Sequence, residues 1–560
     1  MKFPQILYSW KSILFLALLL RLSGLGLNPV GLSHDDELHN LINAKSLAIT
    51  GENVPGVVAG ILTQNGHCLT GDCVYGELET YAFIPWMKFL PLDIVLSKIP
   101  FVLASVGLVW AIGKLFENLS KNKTIGLISG LLVAINPWAI YYGRTAYSYT
   151  FAFFFYILAA YFFTRPKSYK SNLILGGLSA LIASGFYFGA KPILPLVILW
   201  GVIFNLYQFK FRHLKFTLLY LLIITIVIGG YFLILFNSPG GKRFLEIGLS
   251  AGPPILDRIN AYLGFFSPPS LFMTGQRPTD NYFVSGHGYY YLLELPFLIL
   301  GIITIARQKL ARLLFALIAI TIAPAALKTS GASIYSLRSG LTYPLISGII
   351  AWGLYFTAKK TSHLKVFLVF IGSLYIVSLT YFLFLYWHKL PKEQATRWFF
   401  HERVLTNYIT RVKKVSDQKI IILTARPDGI FNSYVFFGGF YNNYQAIQEV
   451  NRSYLDGTFE YRGVRFSSDC HLLTKQDLSA SVIFIDQVNQ INCGLDQRNS
   501  PKIANPKDAG GMFNILNESL CLAYPKKRFP LPKNIYDFNL NTLNDEKFCD
   551  LWITNPDNYN

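Results

Sequence analysis

Apolar residues run in long blocks along this chain, with few charges inside them, from about residue 10 to residue 387. A helix that crosses a bilayer needs ~20 mostly apolar residues. The blocks at 12–30, 94–116, 124–142, 148–164, 173–189, 192–207, 216–236, 289–306, 311–327, 339–357 and 365–387 therefore predict about eleven transmembrane helices. No small-residue cleavage site follows Met1–Lys11, so the first block is expected to be retained rather than removed as a signal.

The polar connections between blocks carry a second pattern. Lys2 and Lys11 precede the first block. Every second connection then repeats the basic signal: Lys121 and Lys123; Arg165, Lys167 and Lys170; Lys210, Arg212 and Lys215; Arg307, Lys309 and Arg312; Lys359, Lys360 and Lys365. Lys and Arg collect in short cytoplasmic loops, so the N-terminus is expected inside and, after eleven crossings, the C-terminus outside. The outer segments are then 31–93, 237–288 and the short stretch Lys328–Arg338. After Trp387 the blocks stop. Lys419–Thr424 and Ser481–Asp486 read as buried strands and Ala395–Lys414 as helical. The expectation is an α-helical polytopic module over residues 1–388 and a soluble, extracytoplasmic mixed α/β domain over 389–560.

Composition agrees. Of 560 residues, 52% are hydrophobic and 14% charged, against about 25% charged in soluble proteins. Disorder and a single soluble domain are both excluded. The net charge of +19, from 50 basic and 31 acidic residues, is largely accounted for by the cytoplasmic loops, so no nucleic-acid partner is expected. Cys68, Cys73, Cys470, Cys493, Cys521 and Cys549 all fall in outer segments, as disulfides in an oxidising compartment require. Six cysteines allow fifteen pairings; proximity favours Cys68–Cys73, Cys470–Cys493 and Cys521–Cys549. A zinc site is the other reading, although no His completes a tight ligand spacing. The chain shows no internal repeat.

Chemistry concentrates at the outer ends of the blocks. Ser33-His34-Asp35-Asp36-Glu37-Leu38-His39 sets three consecutive acids between two histidines. Asp35 or Asp36 could cap a helix beginning near Glu37, or the cluster could be catalytic; the two readings are compatible. Asn136-Pro137-Trp138 and Tyr141-Tyr142-Gly143-Arg144-Thr145-Ala146-Tyr147-Ser148-Tyr149 join two blocks, as an interfacial aromatic belt with a snorkelling Arg144 or as an anion contact. Lys191, Arg277, His287, Lys328 and Arg338 are further outer cations or histidines. Membrane-edge charges are costly and mark function. Acids and cations on one face suit a phosphate-bearing lipid substrate, with a carboxylate as base and cations on the phosphate. Arg21, inside the first block, reads as a buried structural pairing.

Asp36-Glu37-Leu38-His39 resembles the Asp-Glu-x-His motif of protein O-mannosyltransferases and the Asp-Glu motif of aminoarabinose lipid A transferases. Both belong to the GT-C superfamily of integral-membrane glycosyltransferases. The Asn-Pro-Trp…Tyr-Tyr-Gly-Arg turn, Gly286-His287-Gly288…Glu294-Leu295-Pro296 and Arg338…Pro344 resemble its bacterial branch, and the order of these motifs covers roughly residues 10–387. The resemblance implies a plasma-membrane enzyme that moves a sugar from a polyprenyl-phosphate carrier to a lipid, glycan or protein acceptor on the outer face, with inversion. It implies Asp36 as general base and Glu37 as its partner. Asp35, His39 and Tyr147 would line the substrate, Arg144, Lys191 and Arg338 would meet the carrier phosphate, and His287 the carrier or sugar. No cofactor is required, although Asp35 beside Asp36 leaves a divalent metal open. Some relatives carry a second acid after the third block; here Asp280, Glu77 or Glu79 would have to supply it. The alternative is a transporter or flippase of an anionic or lipid-linked substrate, which would typically carry repeats and midplane sites.

Overall fold

The structure is a computed structural model. It describes residues 9–33, 37–55, 58–59, 74–166, 168–238, 254–275, 283–328, 336–489, 491, 493–497, 500–507, 510–522, 524, 532 and 534–554.

Each apolar block contains a helix: α1 (Trp10–Leu22), α3 (Ile94–Ser120), α4 (Lys123–Ile135) with the short α5 (Pro137–Tyr142), α6 (Tyr149–Thr164), α7 (Tyr169–Phe186), α8 (Leu194–Gln208), α9 (Leu214–Phe236), α10 (Leu295–Ala306), α11 (Leu313–Lys328), α12 (Thr342–Lys360) and α13 (Leu364–Phe384). The segment between α1 and α3 adds α2 (His39–Thr50). Among the described residues four helical stretches are long and apolar enough to cross a membrane: Ile94–Ser120, Phe188–Gln208, Leu214–Phe236 and Leu364–Glu393. Several others are shorter apolar helices, such as Lys123–Ile135 and Tyr149–Thr164.

Local chemistry sets the helix starts. Asp93 caps α3 by accepting from Val95 and Leu96 N–H, and Asn136 caps α5 with Pro137 at its first position. Small residues set the closest approach. A Cβ on Gly113 of α3 would lie 2.7 Å from the Gly126 carbonyl of α4, and one on Gly126 would lie 2.6 Å from the Gly113 carbonyl. In lipid, where apolar burial gives no drive, such close packing holds helices together. The outward faces stay apolar: Ile226 on α9 is 65% exposed and Val369 on α13 is 69% exposed. Such faces suit a lipid surround.

The C-terminal region holds a seven-stranded sheet. Its strands are β1 (Ile420–Leu423), β2 (Glu460–Tyr461), β3 (Val464–Ser467), β4 (Val482–Asp486), β5 (Lys502–Ala504), β6 (Gly511–Leu516) and β7 (Ile553–Thr554), in the order β2-β3-β1-β4-β6-β5-β7. β1 is parallel to β3 and β4; the other neighbours are antiparallel. β1 and β4 are buried along their whole length, as their unbroken β-branched runs require. Helices α14 (Phe400–Val415), α15 (Pro427–Phe437) and α16 (Tyr444–Leu455) accompany the sheet. The helix expected over 395–414 starts later, because residues 395–399 form turns and Phe399 takes a positive φ of 51°. Ile421, Leu423, Ile483 and Ile485 form a small core under Leu473, Ile491 and Leu495. The Cys470–Cys493 disulfide ties that cover, and Cys521 is bonded to Cys549. Cys68 and Cys73 lie outside the described residues.

Candidate functional site

Glu37 belongs to the turn that leads into α2. Its carboxylate is fully buried, with Oε2 accepting from Ser33 N–H at 2.7 Å and Oε1 from Ala146 N–H at 2.5 Å. The first contact is local. The second spans 109 residues to the segment after α5. Both oxygens therefore accept charge-assisted bonds, and the residue beside Asp36 is clamped between two connections of the bundle. His34, Asp35 and Asp36 themselves lie outside the described residues. α2 starts at His39, with Leu38 at its cap position and no side-chain cap bond.

The C-terminal region closes over this turn. Asn432 on α15 donates from Nδ2 to His39 Nε2 at 2.5 Å, and the Tyr454 hydroxyl donates to Asn432 Oδ1. An amide N–H only donates, so a neutral His39 carries its proton on Nδ1. Asn451 on α16 donates to the Ser46 hydroxyl at 3.0 Å. Arg403 on α14 donates to the carbonyls of Gly26 at 3.2 Å and Val30 at 2.8 Å. Burial brings its pKa down to about 10, opposed by Asp93. The approach is tight: a Cβ on Gly31 would lie 1.8 Å from the Trp398 carbonyl, so only glycine fits.

Arg144 is fully buried. Its Nη1 donates to the Leu20 and Arg21 carbonyls, Nη2 to those of Gly24 and Asn28, and Nε to Asn28 O and the Tyr386 hydroxyl. A guanidinium has five N–H groups, and all of them meet protein acceptors here. Arg144 thus holds the chain reversal after α1 instead of presenting a donor to an anion. Arg21 is likewise buried against Ser105 and the carbonyls of Ala17, Val133, Ala134 and Ala139, as its place inside an apolar block implies.

Lys191 is also spoken for. Its ammonium meets Glu77 Oε2 at 2.5 Å, the Ser184 carbonyl at 3.1 Å and the Tyr231 hydroxyl. Tyr231 also donates to Glu77 Oε2 at 3.1 Å, and Glu77 Oε1 is buried without a hydrogen-bond partner. A buried cation needs such a partner, so Lys191 arrives already neutralised. Glu79 accepts from Gly76 N–H at 3.1 Å.

His287 is buried against Tyr291 and Phe382, with Nδ1 2.6 Å from the Gly288 carbonyl. Burial holds its pKa below the ordinary histidine value. The His287 segment meets the Asn-Pro-Trp turn: Asn136 donates to the Tyr289 carbonyl at 2.9 Å and Tyr291 to the Ile135 carbonyl at 2.7 Å. Tyr147 stacks on Tyr149 at 5.1 Å and sits 6.2 Å from Trp398. Arg338 is half-buried. Arg277 and Asp280 lie outside the described residues, as does the side chain of Lys328. Among the described residues no group of three His, Cys, Asp or Glu is placed to hold a metal.

The structure adds Lys98, which sequence reading absorbed into an apolar block. It is fully buried on the first turns of α3, with its amine 3.3 Å from the Pro29 carbonyl and 3.5 Å from that of Gly31. It interacts electrostatically with Glu37, Asp93, Arg144 and Arg403. A lone lysine five residues after a capping Asp was the available signal. Asn432 and Arg403 gave no such signal, since they fall in a stretch where polar residues are common.

A helical bundle carrying a C-terminal sheet region, with the Glu37 carboxylate clamped where the two meet, is similar in fold to solved structures. The crystal structure of ArnT from Cupriavidus metallidurans bound to undecaprenyl phosphate matches with a TM-score of 0.50 at 10% identity, over 85% of this chain and 92% of that one. The apo form of the same protein gives 0.49 at 12% identity, over 90% and 95%. The Archaeoglobus fulgidus oligosaccharyltransferase in its apo form gives 0.41 at 11% identity, over 91% and 75%. No protein-family model matches the chain, and no curated protein matches it.

Proposed function

We propose that this chain is an integral-membrane glycosyltransferase that takes a sugar from a polyprenyl-phosphate carrier and delivers it to an acceptor on the extracytoplasmic face. The observation that carries the reading is the clamped Glu37 carboxylate. It tethers the acidic turn to a second outer connection, at the end of the bundle where the C-terminal region docks. A rigidly held acid beside a lipid-facing bundle is what base catalysis on a lipid-linked donor needs. The GT-C fold supports the same class, and the first matched structure holds undecaprenyl phosphate.

In this reading the helices cross the membrane eleven times, with the N-terminus inside and residues 389–560 outside. Asp36 takes the proton from the acceptor's nucleophile. The nucleophile bonds to the anomeric carbon from the side opposite the phosphate. The carbon–oxygen bond to the phosphate breaks, its electron pair leaves with the carrier phosphate, and the configuration inverts. Glu37 is a positioning residue. Arg338 contacts the phosphate, and Lys98 adds positive potential from beneath the turn. Arg144 and Lys191 act through the geometry they hold, and His287 and Tyr147 shape the wall.

Asp36→Asn tests this. Loss of a general base costs about 10²–10⁴ in rate, so transfer from a polyprenyl-phosphate sugar should collapse while carrier binding and the elution profile of the folded protein persist. Unchanged transfer in that variant refutes the assignment.

A further inference from the structure

A cavity lies at the end of the bundle away from the Glu37 turn. α3 begins beside Arg403 and the C-terminal region and runs for 27 residues, a rise of ~40 Å. Where it ends, a cavity of about 970 Å³ opens among the ends of α3, α6 and α8, the start of α4 and the α10–α11 turn. Its floor is buried and largely apolar: Leu119, Thr164 and Phe204. Its rim carries the exposed Lys121, Lys123 and Lys309. The one acid in the wall, Glu117, is paired with Lys114 at 2.8 Å, so three cations face the opening with no unpaired carboxylate on the described wall.

Orientation alone explains basic residues on this face, but not a cavity beneath them. Arg165, also on this face, lies over the Tyr161 and Phe162 rings, and neither Arg307 nor Arg312 lines the cavity. Lys121 moreover closes α3 with a positive φ of 54°, where glycine or asparagine is the easy choice.

We propose that this cavity binds the headgroup of an anionic phospholipid from the cytoplasmic leaflet. The lysines would hold the phosphate, and the apolar floor the glycerol and first acyl carbons. Basic pockets between helices on this side recognise such headgroups. The volume is near the upper end of ordinary ligand sites and far larger than a free phosphate fills, which favours the lipid as the source. The inference rests on the membrane orientation proposed above and on nothing at the acidic turn.

The test is native mass spectrometry of the full chain released from detergent, titrated with dioleoylphosphatidylglycerol, dioleoylphosphatidylcholine or inorganic phosphate. Three variants accompany the wild type: Lys121→Ser/Lys123→Ser/Lys309→Ser, the same three positions as Arg, and Lys359→Ser/Lys360→Ser, which removes charge from the same face outside the cavity. The expected result is tight phosphatidylglycerol binding that falls at least tenfold in the cavity serine variant and survives in the arginine and Lys359/Lys360 variants. Equal binding of phosphatidylcholine, equal loss in the Lys359/Lys360 variant, or displacement of the lipid by millimolar phosphate would each overturn it. All three lysines are exposed, so the serine variant should keep the wild-type elution profile; if it does not, the milder Lys121→Gln/Lys309→Gln variant is titrated in its place, where a clear fall in phosphatidylglycerol binding supports the site and wild-type binding overturns it. Sugar transfer is read separately with Asp36→Asn, so failure here leaves the proposed activity standing, and the converse.

Discussion

Replacing Glu37 with glutamine separates its anchoring role from chemistry. The glutamine oxygen keeps one of the two backbone bonds, to Ser33 or to Ala146. At the other, an amide NH₂ faces a backbone N–H, so two donors oppose each other in a site with no solvent access. A hydrogen bond to a charged group contributes ~1.5–3 kcal/mol, and a buried unsatisfied donor costs ~1–3 kcal/mol. The acidic turn should therefore open more easily by about 2–4 kcal/mol. Since ~1.4 kcal/mol is tenfold in an equilibrium, protection of the Ser33 and Ala146 amides should fall by roughly 30- to 700-fold. Hydrogen exchange followed by mass spectrometry of peptides spanning 24–33 and 143–148 reads this directly, with β1 and β4 peptides as an unaffected reference. Transfer should fall with the loss of order, even though Asp36 is untouched. Unchanged exchange at both segments would refute the clamp, and full transfer despite the opened turn would refute its link to catalysis.

Arg144→Met should strip the Leu20 and Arg21 carbonyls of their side-chain donor and leave Gly24 O with backbone donors and Asn28 O with the Tyr386 hydroxyl alone, a cost of at least ~2 kcal/mol. The variant should elute as aggregate in size-exclusion chromatography, and Arg144→Lys, with three donors, should recover part of the monodisperse peak. Asn432→Leu should lower kcat for transfer about tenfold while leaving the donor KM within about twofold, because it releases His39 without touching the carrier side. His287 has a depressed pKa, so the unfolded chain binds a proton at this site that the folded chain resists. Stability is then fully present above pH ~6.5 and declines as pH falls below it. Thermal inactivation measured from pH 8 to 5 should show the decline, and His287→Phe should flatten it.

Much of the architecture was legible in one dimension. Long apolar blocks specify helices that lipid can solvate, because a chain in hydrocarbon must satisfy its own backbone. The unbroken runs at Ile420–Leu423 and Val482–Asp486 specified interior strands, since a parallel strand is covered on both faces. The acidic turn was visible because three consecutive acids are rare in a chain with 31 in all. The sequence by itself thus determined where the helices lie, where the strands of the C-terminal sheet begin and which turn to inspect.

Only the tertiary structure decided what Arg144, Lys191 and Lys98 touch. Arg144 and Lys191 read alike as membrane-edge cations, and Lys98 was lost inside an apolar block. In the fold, Arg144 spends its donors on carbonyls in and after α1 and on the Tyr386 hydroxyl, Lys191 is neutralised by Glu77, and Lys98 lies against the Pro29 and Gly31 carbonyls. The physical reason is that a buried charge is governed by whichever acceptor long-range packing brings within about 3 Å, and those acceptors are mostly backbone carbonyls. Carbonyls carry no sequence signature, so the contacts between Arg403 and Val30, or between Ala146 and Glu37, become visible only when the chain is folded.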